Sequence, residues 1–69
     1  MRQITGREFA RLLERHGWQL LRITGSHHIF GKRGNNLRIS VPIHASRSLK
    51  TGLLRRLAKL GEIPEDELR

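Results

Sequence analysis

The chain has 69 residues, 36% of them hydrophobic, with no cysteine and a formal net charge of +8. This length predicts one small domain over residues 1–69, and the lack of cysteine excludes disulfides and thiolate metal sites. No apolar run approaches the ~20 residues of a membrane-spanning helix, and the N-terminus lacks an apolar signal core, so we expect a cytoplasmic protein with no membrane contact.

The charge is unevenly distributed along the chain. Residues 1–60 carry 13 Lys and Arg against two acids, whereas residues 61–69 hold the remaining four acids and a single Arg. A body rich in arginine is typical of a protein that binds a polyanion, because the guanidinium group presents a planar donor fork to phosphate. A solubilising surface or attraction to anionic lipid is the alternative for a basic chain of this size.

The first predicted element is a helix over residues 6–16. Thr5 and Glu8 have the spacing of a capping box, in which each side chain accepts a hydrogen bond from a free backbone N–H of the other. The helix has an apolar stripe, and Gly17 has the conformational freedom to end it. We expect His16 to act as a cation beside the helix C-terminus rather than as a ligand or catalyst. The stripe consists of Phe9, Leu12, Leu13 and His16.

Three strands follow, at residues 18–23, 27–32 and 37–44, joined by short turns rich in Gly, Ser and Asn. In the second strand we expect Lys32 to face water, which makes Ile29 the core residue. Phe30 would then lie on the open face beside His28 and Lys32, where an aromatic ring suits base stacking. The third strand alternates most clearly, and its dry face consists of Leu37, Ile39, Val41 and Ile43.

A second helix is predicted to follow a loop and to run to Leu60. Ser46 or Ser48 is the expected N-cap, and Gly61 is the expected end. Pro64 and the acids after it predict a short helical turn. The apolar stripe of this helix consists of Leu49, Leu53, Leu57 and Leu60.

The order of elements is helix, strand, strand, strand, helix. Sequential strands with short turns favour an antiparallel meander, and two amphipathic helices can cover its one apolar face. The sequence therefore predicts an α+β domain with both helices on the same side of a three-stranded sheet.

The most informative chemical feature is the lack of any Asp or Glu between Glu14 and Glu62, in a chain that also lacks Tyr. Carboxylate-bound Mg²⁺ and a carboxylate acid/base pair are therefore hard to build in the sheet. His27 and His28 point to opposite sides of a strand and cannot readily share a zinc ion. We expect neither a metal nor another cofactor.

Histidine with nearby Lys and Arg suffices for RNA cleavage without a metal. A base withdraws the proton of the ribose 2′-OH, that oxygen attacks the adjacent phosphate, and cations stabilise the charge that develops. DNA lacks the 2′-OH, so such a site selects RNA. The residues alone leave a second interpretation of His27 open, in which it caps a turn or pairs with a backbone carbonyl.

Several segments of the chain resemble motifs of one protein family and occur in the same order. The segment Gly25-Ser26-His27-His28-Ile29-Phe30 resembles the glycine-serine-histidine motif of the HicA-type (YcfA-like) toxins, which are small bacterial mRNA interferases of toxin-antitoxin pairs. The resemblance covers nearly the whole chain. It extends to Thr5-Gly6-Arg7-Glu8 with the segment from Leu12 to Trp18, Ile39-Ser40-Val41-Pro42-Ile43-His44, Leu49-Lys50-Thr51-Gly52-Leu53 and Gly61-Glu62-Ile63.

The resemblance implies a double-stranded-RNA-binding-domain-like α-β-β-β-α fold and a type II toxin that cleaves mRNA and so blocks translation. It assigns the catalytic role to His27. It also implies a HicB-type antitoxin that covers the active site. The alternative is a small basic RNA-binding module of the same fold without catalytic activity.

We predict that polar and cationic residues around His27 contact the RNA. Ser26 either does so or merely holds the turn, and His28 is either a contact or a plain surface residue. His44 matches the resemblance, but it could serve only to fix the end of the third strand. The predicted RNA-binding set is Ser26, His28, Lys32, Arg33, Arg38 and Lys50.

Overall fold

The chain folds as a helix, three antiparallel strands and a second helix, in a computed structural model that describes residues 2–69. The predicted α+β fold class is confirmed. None of the described helices is long and apolar enough to cross a membrane. The three strands lie side by side in the order in which they occur along the chain. The elements are α1 (Gly6–Arg15), β1 (Gln19–Thr24), β2 (His27–Lys32), β3 (Asn35–Pro42), α2 (Thr51–Gly61) and a 3₁₀ helix (Glu65–Leu68), here named the C-terminal turn.

The start and end of α1 follow the sequence signals. The Thr5 hydroxyl accepts a hydrogen bond from the Glu8 N–H at 3.0 Å, and Glu8 Oε1 accepts one from the Thr5 N–H at 2.9 Å. The predicted capping box is therefore confirmed. Gly17, with φ of 91°, takes the left-handed conformation that ends the helix.

The core lies between the two helices and one face of the sheet. Trp18 is 2% exposed, and its indole N–H donates to the Gly61 carbonyl at 3.1 Å. This contact ties the segment before β1 to the end of α2. The buried side chains that surround it include Phe9, Leu13, Phe30, Ile39, Val41, Leu54 and Leu57.

The predicted orientation of β2 is wrong. Phe30 is 1% exposed and lies on the face covered by the helices, paired with Ile39 in the register, while Ile29 is only half-buried on the other face. The ammonium group of Lys32 lies 5.3 Å from the centroid of the Trp18 ring, a cation–π distance. A lysine can therefore lie on the core side at its rim, and Phe30 is not available for base stacking.

The predicted N-cap of α2 is also wrong. The helix begins at Thr51, its N-cap is Lys50, and no side chain caps it. Ser48 instead pairs with Thr5 in an isolated β-bridge, and the Leu49 N–H donates to the Ile4 carbonyl at 2.8 Å. This backbone pairing beside the start of α1 keeps residues 48–49 extended, so α2 begins later in the sequence than predicted.

The end of α2 differs from the prediction in detail. Gly61 is the last helical residue, and Glu62 takes the left-handed conformation with φ of 57°. A Cβ atom on Gly61 would lie 2.7 Å from Leu13 Cδ2, so this glycine is required for close packing rather than for its φ. Leu60, predicted in the apolar stripe, is 39% exposed, and Leu54 is buried instead.

The acidic end of the chain packs onto the domain. The predicted helical turn is present as the C-terminal turn, and the side chains of Ile63 and Leu68 are buried in the core. The Glu67 carboxylate accepts a hydrogen bond from His16 Nε2 at 2.9 Å. His16 thus has a structural partner at the C-terminus of α1.

Candidate active site

His27 lies on the face of the sheet that the helices leave uncovered, which we name the open face. The register pairs His27 with Thr24 on one side and with Pro42 on the other, so these three residues share that face. The His27 side chain is exposed. Because the chain has no Asp or Glu between Glu14 and Glu62, no strand presents a carboxylate beside it. The open face also carries Arg22, Ile29, Gly31, Arg38 and Ser40.

The turn before His27 is fixed to the end of β3. Gly25 adopts φ of 59°, which favours glycine. The Ser26 carbonyl accepts a hydrogen bond from the Ile43 N–H at 2.8 Å, and the Ser26 hydroxyl lies 3.4 Å from His44 Nε2. Two exposed histidines therefore lie close to Ser26 at one end of the sheet: His27 follows it in the sequence, and His44 contacts its hydroxyl. We name this end the histidine end.

A cleft at the histidine end lies between β3 and the start of α2. Its volume is about 210 Å³. One of its lining residues is Pro42, which is paired with His27 in the sheet. The first turn of α2 contains no acidic residue, and its N-cap side chain makes no hydrogen bond, so its free N–H groups and positive dipole end are open to an anion. The cleft is lined by Pro42, His44, Arg47, Ser48, Leu49, Lys50 and Leu53.

A second group of cations lies at the opposite end of the open face. A bulge in β1 between Leu20 and Arg22 inserts Leu21, whose Cδ1 and the Arg38 guanidinium both lie over Gly31. A Cβ atom on Gly31 would lie 2.6 Å from Leu21 Cδ1, so glycine is needed for this close approach. The cleft there has a volume of about 290 Å³ and is lined by Gln19, Leu21, Gly31, Lys32, Arg33 and Arg38.

The structure separates the predicted RNA-binding residues into three places. Ser26 and Lys50 lie at the histidine end with His27. The set Lys32, Arg33 and Arg38 lines the second cleft, five residues or about 16 Å further along β2. The remaining residue, His28, is half-buried on the helix-covered side, where the register pairs it with Ile23 and Val41.

The sequence predicted at most a structural role for His44 and no role for Arg47, and both lie at the histidine end. His44 follows Pro42 by two positions, and the pairing of Pro42 with His27 brings it beside the Gly25-Ser26 turn. The hairpin register, had it been worked out from the sequence, would have indicated this proximity. Nothing in the sequence marks Arg47, which reaches the cleft only because the loop bends back toward α2.

Both helices begin at the histidine end. A Cβ atom on Gly6, the first residue of α1, would meet the Pro42 carbonyl and the Ile43 side chain, which places the start of α1 against the end of β3. The positive ends of both helix dipoles therefore point toward this end of the molecule. Within residues 2–69 no group of three or more His, Cys, Asp or Glu side chains is arranged to hold a metal ion.

The fold and the site define a small basic α+β protein with exposed imidazoles and cations on a sheet face free of carboxylates. The family model described as HicA toxin of bacterial toxin-antitoxin matches residues 6–63, from the start of α1 to beyond the end of α2. The chain belongs to the HicA toxin family. This membership supports a toxin role and implies an antitoxin partner. A search of curated proteins finds no match.

Proposed function

We propose that this toxin is an endoribonuclease that cleaves mRNA without a metal ion and so blocks translation, with His27 as the general base. The observation that carries the proposal is the exposure of His27 on a sheet whose strands carry no carboxylate, next to the cleft lined by Arg47 and Lys50. RNA supplies its own nucleophile, so the protein needs only to move protons and to stabilise charge on the phosphate.

The two clefts suggest a path for the RNA across the open face. Lys50 and the free N–H groups of α2 would bind a phosphate at the histidine end, while Arg33 and Arg38 would bind one at the other. The Ser26 hydroxyl would contact the RNA at the histidine end, from the turn that precedes His27. Lys32 contributes from the rim of its cleft, where it also stacks on Trp18.

His28 needs a different route to RNA. It lies on the helix-covered side, beside Ile23 of the edge strand β1. A contact with RNA would therefore require the nucleic acid to pass around that edge. We accordingly expect the replacement of His28 to have a smaller effect than the replacement of His27.

We further propose that a HicB-type antitoxin covers His27 and competes directly with RNA. The strands of the open face carry Arg and His but no carboxylate, and Arg47 and Lys50 line the cleft at the histidine end, so an acidic surface would complement them. Glu67, in the acidic C-terminal turn, is not placed to replace such a partner. Glu67 is paired with His16 at the C-terminus of α1. The adjacent Gly17 lies against Lys32, at the end of β2 opposite His27.

The test is RNA digestion in the presence of a chelator by the wild type and by His27→Ala. We expect the wild type to produce 2′,3′-cyclic phosphate and 5′-hydroxyl ends, and the variant to lose activity by about 100-fold or more. A DNA strand of the same sequence should remain intact. His16→Gln, at the other end of the molecule, is the matched control and should cleave normally.

Two results would contradict the proposal. Cleavage by folded His27→Ala at the wild-type rate would remove His27 from the reaction. A wild type that binds RNA but leaves it intact, with growth arrest that survives the substitution, would instead favour the non-catalytic RNA-binding module. Circular dichroism of each variant separates both results from a loss of fold.

A further inference from the structure

We propose that His44 is the general acid that works with His27, and that the Ser26 hydroxyl holds its imidazole in position. The inference deepens the proposed RNA cleavage and rests on it. It starts from a contact between two side chains, the Ser26 hydroxyl and His44 Nε2, which are 18 residues apart in the chain and 3.4 Å apart in space.

The reaction requires two proton transfers at different oxygens. His27 takes the proton of the 2′-OH, and the 2′-oxygen forms a bond to phosphorus while the bond from phosphorus to the 5′-oxygen breaks. The departing 5′-oxygen takes a proton from the His44 imidazolium, which leaves a 2′,3′-cyclic phosphate and a 5′-hydroxyl. Exchange with water then restores the proton to His44 and removes it from His27. The attacking and leaving oxygens lie on opposite sides of the phosphorus, so one ring cannot serve both at once.

The backbone brings the two rings to the same end of the sheet. His27 is paired with Pro42 in the β2–β3 register, and the Ser26 carbonyl accepts the N–H of Ile43, the residue immediately before His44. His44 therefore leaves β3 directly beside the turn that carries His27. Both imidazoles are exposed, so a phosphodiester on the open face can reach each of them.

Other proton carriers are placed less well. His28 lies on the opposite face of β2, and His16 is held by the Glu67 carboxylate at the far end of the molecule. Arginine does not release its proton in proteins, so Arg47 can stabilise charge but cannot act as the acid. Imidazole, by contrast, exchanges protons near neutral pH.

The Ser26 hydroxyl, which contacts the His44 ring, is also compatible with His44 acting as a general acid. A serine hydroxyl can accept a hydrogen bond from a protonated ring and donate one to a neutral ring. It therefore orients the imidazole in both states without the strong preference for the charged form that a carboxylate imposes. Arg47 and Lys50 line the same cleft and are placed to bind the phosphate next to the leaving group.

The decisive experiment compares an ordinary RNA with one whose scissile 5′-oxygen is replaced by sulfur. A thiolate leaves without a proton, so a missing general acid matters only for the oxygen substrate. We expect His44→Ala to lose about 100-fold on the oxygen substrate and to cleave the sulfur substrate within about tenfold of the wild type. His27→Ala should be inactive on both. His44→Gln provides a second variant if the alanine variant does not fold.

The pH dependence and Ser26→Ala supply independent readouts. In the wild type kcat/KM should fall at both low and high pH, and His44→Ala should lose the fall at high pH because that limb reports loss of the acid's proton. Ser26→Ala should lose about tenfold on the oxygen substrate and little on the sulfur one. Ser46→Ala, which changes an exposed serine in the loop that contains His44, should match the wild type on both.

The outcomes distinguish this inference from the proposed function. A wild type that cleaves neither substrate would overturn the nuclease itself. A wild type that cleaves RNA, together with His44→Ala that is fully active or equally weak on both substrates, would overturn the acid role of His44 and leave the nuclease in place.

Discussion

The two helices begin at the same end of the sheet, but their N-termini are completed in different ways. In α1 the Thr5 hydroxyl and the Glu8 carboxylate satisfy backbone N–H groups of the helix start. In α2 the N-cap is Lys50, no side chain caps the helix, and the first turn contains no acid. The chain thus neutralises one positive helix end and leaves the other beside the cleft that holds His44.

This difference indicates that the two ends serve different purposes. A capping box stabilises the folded domain and closes its helix end to anions. An uncapped end gives up about 1 kcal/mol of such stabilisation but keeps N–H groups available to a phosphate. We infer that stability is concentrated at the start of α1 and RNA binding at the start of α2.

The substitution Lys50→Asp tests this difference between the two helix starts most directly, and we expect it to have the largest effect. The carboxylate would cap α2 and raise the free energy of unfolding by about 0.5 to 1 kcal/mol. At the same time RNA affinity should fall by about tenfold or more. The charged hydrogen bond between the Lys50 ammonium group and an RNA phosphate would be replaced by repulsion between the new carboxylate and that phosphate. The slope of log affinity against log salt should become shallower by about 0.7, one phosphate fewer. Chemical denaturation and binding titrations over a salt series measure the two effects.

Lys59→Asp is the matched control for that variant. It changes the net charge equally, but in the last turn of α2, where Lys59 is exposed. An acid there opposes the helix dipole, so stability should fall slightly while RNA affinity is nearly preserved. Equal losses of affinity in the two variants would show that only net charge matters and that the start of α2 is not a phosphate site.

Thr5→Ala tests the other helix end and should have an intermediate effect. Removal of the hydroxyl leaves the Glu8 N–H without its acceptor, which should cost about 1 kcal/mol of unfolding free energy. For a domain of this size that corresponds to a fall in Tm of about 4 to 8 °C. RNA cleavage per folded molecule should not change. A normal melting temperature with impaired cleavage would reverse the roles assigned to the two helix ends.

The smallest effect is expected from Glu8→Gln and appears only in acid. The hydrogen bond from the Thr5 backbone N–H lowers the pKa of the Glu8 carboxyl from its usual value of about 4.5, and the Thr5 hydroxyl and Arg2 add to this. A lowered pKa means that the carboxylate contributes stability above its unfolded-state pKa and loses it as pH falls through the folded one.

Glutamine keeps the acceptor of the capping box but cannot titrate. The variant should therefore resemble the wild type near pH 7 and lose less stability than the wild type on acidification below about pH 4.5. Thermal melts from pH 7 to pH 3 make the comparison. Parallel curves for the two proteins would remove Glu8 from the pH dependence.

Local signals predicted most of the fold. Thr5, Glu8 and Gly17 act through neighbouring backbone atoms, so α1 could be placed from sequence alone. The errors arose where distant contacts decide. Lys32 lies over Trp18, so the core face of β2 is the opposite of the one predicted. The β-bridge between Thr5 and Ser48 keeps the chain extended there, so α2 begins only at Thr51.

The site was predicted in part for the same reason. The resemblance to the HicA toxins singled out His27, and strand alternation separated it from His28. The contact between Ser26 and His44 depends on the hairpin register, and Arg47 enters the cleft through the path of a loop. Neither leaves a periodic or compositional trace in the sequence. The catalytic and RNA-binding roles themselves remain predictions.

The burial of Trp18 has a spectroscopic consequence. It is the single tryptophan of the chain, its indole N–H is bonded to the Gly61 carbonyl, and Lys32 stacks on its ring. Its emission therefore depends on how α2 closes against the segment before β1, at the end of the molecule away from His27. The protein thus carries an intrinsic fluorophore that reports unfolding, and because Lys32 also lines the second cleft, its emission should respond to RNA bound there and not to a ligand confined to the histidine end.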